Sequence, residues 1–237
     1  MFKSVFIVVV VILLCSQVVS ANLIQNGGFE TGGFTGWNSA GDISVVGSIY
    51  GSGPIEGAYQ AVLSTSRASS AENLETFLGL STGTLNTLTN PAQPVFGGSA
   101  IKQTFVTTTG GTVSFAWNFL TDEPGKSIGN DFAFVTLDNQ LLCLANTYST
   151  LTGSSTLFVS ETGFNSMSLS LGSPGLHTVA FGVVNVLDDY GDSGLLIDGV
   201  SAHVVPLPSS LLLILTGLIG TGFARKQFNR FSRYSAN

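Results

Sequence analysis

Between residues 43 and 204 apolar and polar residues alternate in short runs. In 112–119 the side chains of Val113, Phe115, Trp117 and Phe119 fall on one face, and in 176–183 those of His177, Val179, Phe181 and Val183 do the same. Residues 166–171 alternate serine with Met167, Leu169 and Leu171. A period of two belongs to a half-buried strand, whose successive side chains point to opposite faces. The same reasoning predicts strands over 43–47, 58–64, 100–107, 131–138, 140–145, 156–160 and 194–204. Turn signals separate them at Gly110-Gly111, Asp138-Asn139 and Ser173-Pro174-Gly175. Many short strands with such turns predict an all-β fold, a jelly-roll-type β-sandwich.

One stretch departs from this period. In 69–79 Leu74, Phe77 and Leu78 share a helical face, Ser69 and Glu72 stand at capping-box spacing, and Gly79 follows. A short helix is expected over 70–78, with a further helical turn near 83–89. Its predicted place is a plug at one end of the sandwich.

Both termini carry apolar runs. Lys3, the run Phe6–Cys15 and the small residues of Val19-Ser20-Ala21 have the layout of a secretory signal peptide over 1–21. The uncharged stretch 204–224 is broken early by Pro206 and Pro208, which leaves Ser209–Ala224 as helix. That helix is about 24 Å long, against a bilayer core of roughly 30 Å. The basic residues Arg225, Lys226 and Arg230 behind it can snorkel and hold that end on the inner side. A single membrane helix is therefore expected, with a basic polar tail over 231–237 and the domain 22–204 outside.

That domain has about 180 residues, enough for one core. It holds all fourteen acidic residues and only three basic ones, Arg67, Lys102 and Lys126. Such a balance excludes nucleic acid as a partner, because counterion release requires clustered Lys and Arg. With the leader removed a single cysteine, Cys143, remains, so no disulfide framework forms. It reads as a small buried hydrophobe.

Two acidic stretches suggest a cation. Asp122, Glu123 and Asp131 bracket one loop, and Asp188, Asp189 and Asp192 crowd another. Crowded carboxylates stay solvated, take up a proton or share a cation. Calcium, with its preference for six to eight oxygens, is the expected structural cofactor, against solvated loop charge as the alternative. Trp37, Trp117, Tyr50, Tyr59 and Tyr190 are the aromatic candidates for stacking on a sugar. Tyr190, beside the loop acids, is the expected exposed platform, whereas Trp37 and Trp117 read as core.

Three resemblances follow from quoted residues. Val205-Pro206-Leu207-Pro208-Ser209, then the apolar helix, then Arg225-Lys226, resembles the PEP-CTERM sorting signal of Gram-negative bacteria, with Leu207 where the motif carries Glu. The resemblance implies processing by signal peptidase and by exosortase, a membrane protease/transpeptidase. Asn22-Leu-Ile-Gln-Asn-Gly-Gly-Phe-Glu30, with Trp37, resembles the opening of carbohydrate-binding-module-like jelly rolls, and Leu195-Leu-Ile-Asp-Gly-Val200 their last strand. It implies a structural calcium held by Glu30 and Asp198. Phe119-Leu-Thr-Asp-Glu123 followed by Asn130-Asp131-Phe-Ala-Phe-Val135 is similar to extracellular domains that occur with many cell-surface anchors.

The expected function is that of an exported cell-surface or matrix protein, structural or adhesive within exopolysaccharide. The first alternative is a calcium-dependent carbohydrate-binding module. The second is a glycan-acting enzyme, for which Asp122/Glu123 with Asp188/Asp189 are the candidate carboxylate pairs. With two histidines and no Gly-x-Ser-x-Gly elbow, no catalytic constellation is expected.

Overall fold

The computed structural model describes residues 22–89, 91–123, 125 and 129–204. The expected leader 1–21, the expected sorting motif Val205–Ser209 and the expected basic anchor Arg225, Lys226 and Arg230 lie outside the described residues. Among the described residues no helix is long and apolar enough to cross a membrane.

The fold is a jelly-roll-type sandwich of two antiparallel sheets. The first sheet runs β1 (Asn38–Ala40), β5 (Val95–Thr107), β12 (Gly175–Val186), β7 (Phe132–Leu137), β8 (Gln140–Asn146), with β4 (Ser69–Ser70) also on β5. The second runs β2 (Asp42–Gly47), β3 (Tyr59–Ser64), β13 (Ser193–Val204), β6 (Gly111–Thr121), β10 (Ser160–Glu161), β9 (Thr152–Gly153), with β11 (Asn165–Leu171) also on β6. The long strands form where period two was clearest. Between the sheets lie Phe105, Val113, Phe115, Trp117, Phe119, Val135, Val179, Phe181, Leu195 and Ile197.

The outer face of the first sheet is also apolar. Ala100, Phe132, Phe134, Ala180, Val184 and Val186 pack there against Leu74, Leu78 and Leu85. They are covered by α1 (Ala71–Leu78), so the helix lies across a sheet face and is not the expected end plug. The cap differs too: Ser70 Oγ, not Ser69, accepts from Asn73 N at 3.4 Å. Gly79, with φ +76°, closes the helix in the left-handed conformation. The buried Glu75 then accepts from Gly83 N at 2.7 Å and Leu85 N at 2.8 Å, tying down the helical turn Leu85–Leu88. Gly182 makes room for this layer, since a Cβ there would stand 2.3 Å from Phe134 Cζ.

Two further expectations need correction. Residues 156–159 are bends, and only Ser160–Glu161 pair as strand. Cys143 is exposed on β8. A register shift pairs Ala133 with Ala145 but Phe134 with Cys143, so Ala145 turns inward and Cys143 outward. His177 is satisfied: Nδ1 meets Asp138 Oδ2 and Nε2 meets the Ser173 carbonyl, each at 3.0 Å.

Candidate functional site

The predicted acidic residues fall into separate places along β13. Glu30 and Asp198 belong to the first. The turn Asn26–Gly33 brings Glu30 to the start of β3, where its carboxylate accepts from Ala58 N at 2.9 and 3.0 Å and from Tyr59 N at 3.0 Å. Asp198 is fully buried. Its Oδ2 accepts from Ile55 N at 2.7 Å and Glu56 N at 3.0 Å, and its Oδ1 from Gly199 N at 2.7 Å. Burial raises the Asp198 pKa in spite of these three amides, and the Glu56 charge adds to the rise. The three side chains approach Gly28, where a Cβ would stand 2.9 Å from Glu56 Oε1, 3.7 Å from Asp198 Oδ1 and 3.7 Å from Glu30 Cγ, while the Glu30 carboxylate itself lies at Gly57. The donors are oxygens, and none of the three residues takes part in an ion pair among the described residues. That chemistry suits a hard cation. Among the described residues, however, no three His, Cys, Asp or Glu side chains are gathered so that they could hold a metal ion.

The second place is the far end of β13, where the two acidic loops touch. Asp122 N donates to the Asp192 carbonyl at 2.9 Å. The Glu123 side chain lies over Gly191, whose φ of +78° and missing side chain allow the approach. Asp131 is buried, accepting from Val186 N at 2.8 Å on Oδ1 and from Ser193 Oγ at 2.8 Å on Oδ2. Burial pushes its pKa up to about 7 against those hydrogen bonds, and the charges of Glu123 and Asp188 raise it further. Asp188 caps its own turn through Tyr190 N at 3.0 Å. Asp189 is exposed on the same loop.

A groove of about 300 Å³ opens on the outer face of the second sheet. Asp42, Asp122 and Asp192 line it, together with Ser44, Ser64 and Ser66 and the apolar surfaces of Tyr50, Leu157 and Phe158. Tyr50 is raised in pKa by burial and by the Asp122 charge, so its hydroxyl stays neutral. Leu157 is 90% exposed at the rim. Of the proposed carboxylate pairs only Asp122 lines this groove, while Glu123, Asp188 and Asp189 do not. Tyr190 is 82% exposed and lines neither this groove nor the one beside α1. Trp37 and Trp117 are core residues.

Sequence reasoning missed Asp42, Glu56 and the apolar wall from Leu157 and Phe158. Asp42 and Glu56 are isolated acids in the sequence, and their partners lie elsewhere in the chain: Asp42 N donates to Ser99 Oγ at 2.7 Å, and Glu56 N to Asp198 Oδ2 at 3.0 Å. The 156–160 segment carried a strand-like pattern that concealed a loop over 156–159. Beside the groove Glu161 Oε2 accepts from Ser52 Oγ at 2.6 Å, Asn118 Nδ2 at 3.1 Å and Ser154 Oγ at 3.1 Å, which fixes the two loops over the sheet.

No protein-family model matches the sequence, and no curated protein matches it. Solved structures similar to the chain include a carbohydrate-binding module, TmCBM61, in complex with β-1,4-galactotriose. It is 16% identical with a TM-score of 0.44, over 78% of this chain and 100% of that one. The K1 cleaved adhesin domain of Lys-gingipain from Porphyromonas gingivalis W83 is 11% identical with a TM-score of 0.43, over 79% and 98%. A carbohydrate-binding module specific for non-crystalline cellulose, CBM28, is 10% identical with a TM-score of 0.38, over 78% and 97%.

Proposed function

We propose that the chain is an exported glycan-binding module, active as a binder and not as an enzyme, with a structural or adhesive role in an extracellular polysaccharide matrix. The groove on the second sheet is the observation that carries this reading. A sugar ring has an apolar C–H face and a rim of hydroxyls. Tyr50, Phe158 and Leu157 offer apolar surface to the first, and Asp42, Asp122, Asp192 and the three serines offer acceptors and donors to the second. Three carboxylates in one groove repel uronates and sulfated sugars, so the preferred glycan is neutral or carries amino groups.

Calcium is the proposed structural cofactor beside Glu30, Glu56 and Asp198, where it would tie the N-terminal turn to β13 and relieve the crowded charge. The export route is proposed from the leader 1–21, and exosortase sorting from Val205–Ser209 followed by Arg225, Lys226 and Arg230. The test of the binding reading is a titration of the protein against neutral, amino-sugar and uronate polysaccharides. Saturable binding to one of the first two supports it. Silence towards all of them, or a preference for the uronate polymer, rejects it.

A further inference from the structure

We infer, resting on the proposed function of the first groove, that the groove beside α1 is a second glycan site for a neutral, hydroxyl-rich strand, so that one chain joins two strands. This groove has a volume of about 390 Å³, within the range of ligand sites. Its floor is the cross-strand pair Thr104 and Thr178. Both have the parity of Ala100 and Ala180, which point outward beneath α1, so the floor is the uncovered part of the first sheet's outer face. The first groove lies on the outer face of the second sheet. The core separates the two, and a stiff strand seated in one does not reach the other.

Both walls of the second groove are held in place. On one side the turn after β7 is bound to β12. Asp138 N donates to the Thr178 carbonyl at 2.7 Å, and the Asp138 carboxylate accepts from Thr178 N and meets His177 Nδ1, each at 3.0 Å. The left-handed φ of +55° at Asp138 shapes this turn and sets Asn139 at the rim. On the other side Lys102 reaches the end of α1. Its ammonium donates to the Phe77 carbonyl and stands 4.5 Å from the centre of the Phe77 ring. Leu176 adds apolar surface, continued by its cross-strand partner Val106, and both are exposed.

The polar capacity left over on these walls selects the ligand. An ammonium has three donors, and the Phe77 carbonyl takes one. Thr104 and Thr178 share one hydrogen bond at 2.9 Å, so one hydroxyl proton of the pair remains. Asn139 offers both a donor and an acceptor. The Asp138 carboxylate is half-exposed and uses two of about four acceptor positions. An anionic group is opposed by Asp138 and a cationic one by Lys102. A sugar hydroxyl both donates and accepts, so it matches both walls, and the C–H face of the ring rests on Leu176. Lys102 disfavours here the amino sugars that the three carboxylates of the first groove accept.

The test is a calorimetric titration of the full chain with short neutral oligosaccharides of glucose, galactose and mannose, paired with light scattering from the matching polymers. The wild type is expected to bind two oligosaccharides per chain and to cross-link the polymer into scattering particles. The combined Asn139→Ala, Thr104→Val protein, changed only at exposed positions, is expected to bind at one of the two sites at least about tenfold more weakly, the effect of losing one or two hydrogen bonds, and to lose the scattering. Asp192→Asn is expected to weaken the other site alone. Lys102→Met gives the same loss as the exposed pair if α1 stays packed, and the exposed pair decides the matter if it does not. A single site that Asp192→Asn weakens and the exposed pair leaves unchanged overturns the inference, with the first groove's reading intact. A single site weakened only by the exposed pair overturns the bridging of two strands, and the first groove's reading with it. Silence towards all three sugars overturns the inference too, and the amino-sugar titration then judges the first groove by itself.

Discussion

Asp198 and Ile55 are 143 residues apart in the chain, yet the Asp198 carboxylate accepts the Ile55 amide at 2.7 Å. Together with Glu56 N and Gly199 N this makes one buried side chain the acceptor for three backbone groups. The 51–58 loop is thereby pinned to β13, and Glu56 is carried to Glu30 and Gly28. Replacing Asp198 with Asn removes the charge and one acceptor. The expected loss is about 2–3 kcal/mol, the scale of hydrogen bonds to a charged group, measured by denaturant unfolding. An unchanged midpoint contradicts the anchoring role.

The helix that covers the first sheet depends on Phe134 crossing β12 at Gly182. Gly182→Ala drives a methyl into that ring and is expected to destabilise the fold by about 1–3 kcal/mol through overpacking. Phe134→Ala leaves a cavity and is expected to cost about 3–5 kcal/mol. Thermal unfolding of the two variants distinguishes these costs.

His177 gives a pH dependence of definite sign. Burial opposes its charge, but the hydrogen bonds to Asp138 and to the Ser173 carbonyl, with the Asp138 charge, outweigh burial and raise its pKa. A raised folded-state pKa contributes stability in full below the unfolded value of about 6.5 and loses it as pH climbs through the folded value. The advantage of the wild type over His177→Gln is therefore expected to be larger near about pH 5.5 than near about pH 8.5. A difference that is flat with pH, or rises with it, contradicts this assignment.

Much of the sandwich was legible because alternation is a local signal. β6, β11 and the inward face of β12 announce themselves through Phe115, Met167 and Phe181. Where both faces of a strand are buried the signal weakens: Ala180, Gly182 and Val184 give no hint that a helix lies over them, so the helix was expected at an end. The two- and three-residue strands β1, β4 and β9 are too short to carry a period. The candidate sites were legible as lists of acids but not as arrangements. Glu30 and Asp198 were paired by resemblance, while Glu56 reaches its place through the bonds that tie its loop to Asp198, and Asp42 through the β2–β3 pairing and the bond from its amide to Ser99 Oγ.

The proposed sorting route predicts two forms of the chain. Mass analysis of the C-terminal peptide is expected to find an end near Pro208 in the extracellular fraction and a longer, uncut chain in membranes. A chain ending at Asn237 in every fraction contradicts exosortase processing and leaves the tail as an anchor.

The groove tests the central claim. Leu157 is exposed at its rim and Asp192 lines its wall, so Leu157→Ser and Asp192→Asn alter the surface without opening the core. The decisive measurement is the affinity of the wild type and these two variants for the polysaccharide that the wild type binds best. Each variant is expected to bind about tenfold more weakly, the effect of losing about 1.4 kcal/mol of contact, with unfolding midpoints close to the wild type. Undiminished affinity in both variants would place the glycan elsewhere and contradict the proposal.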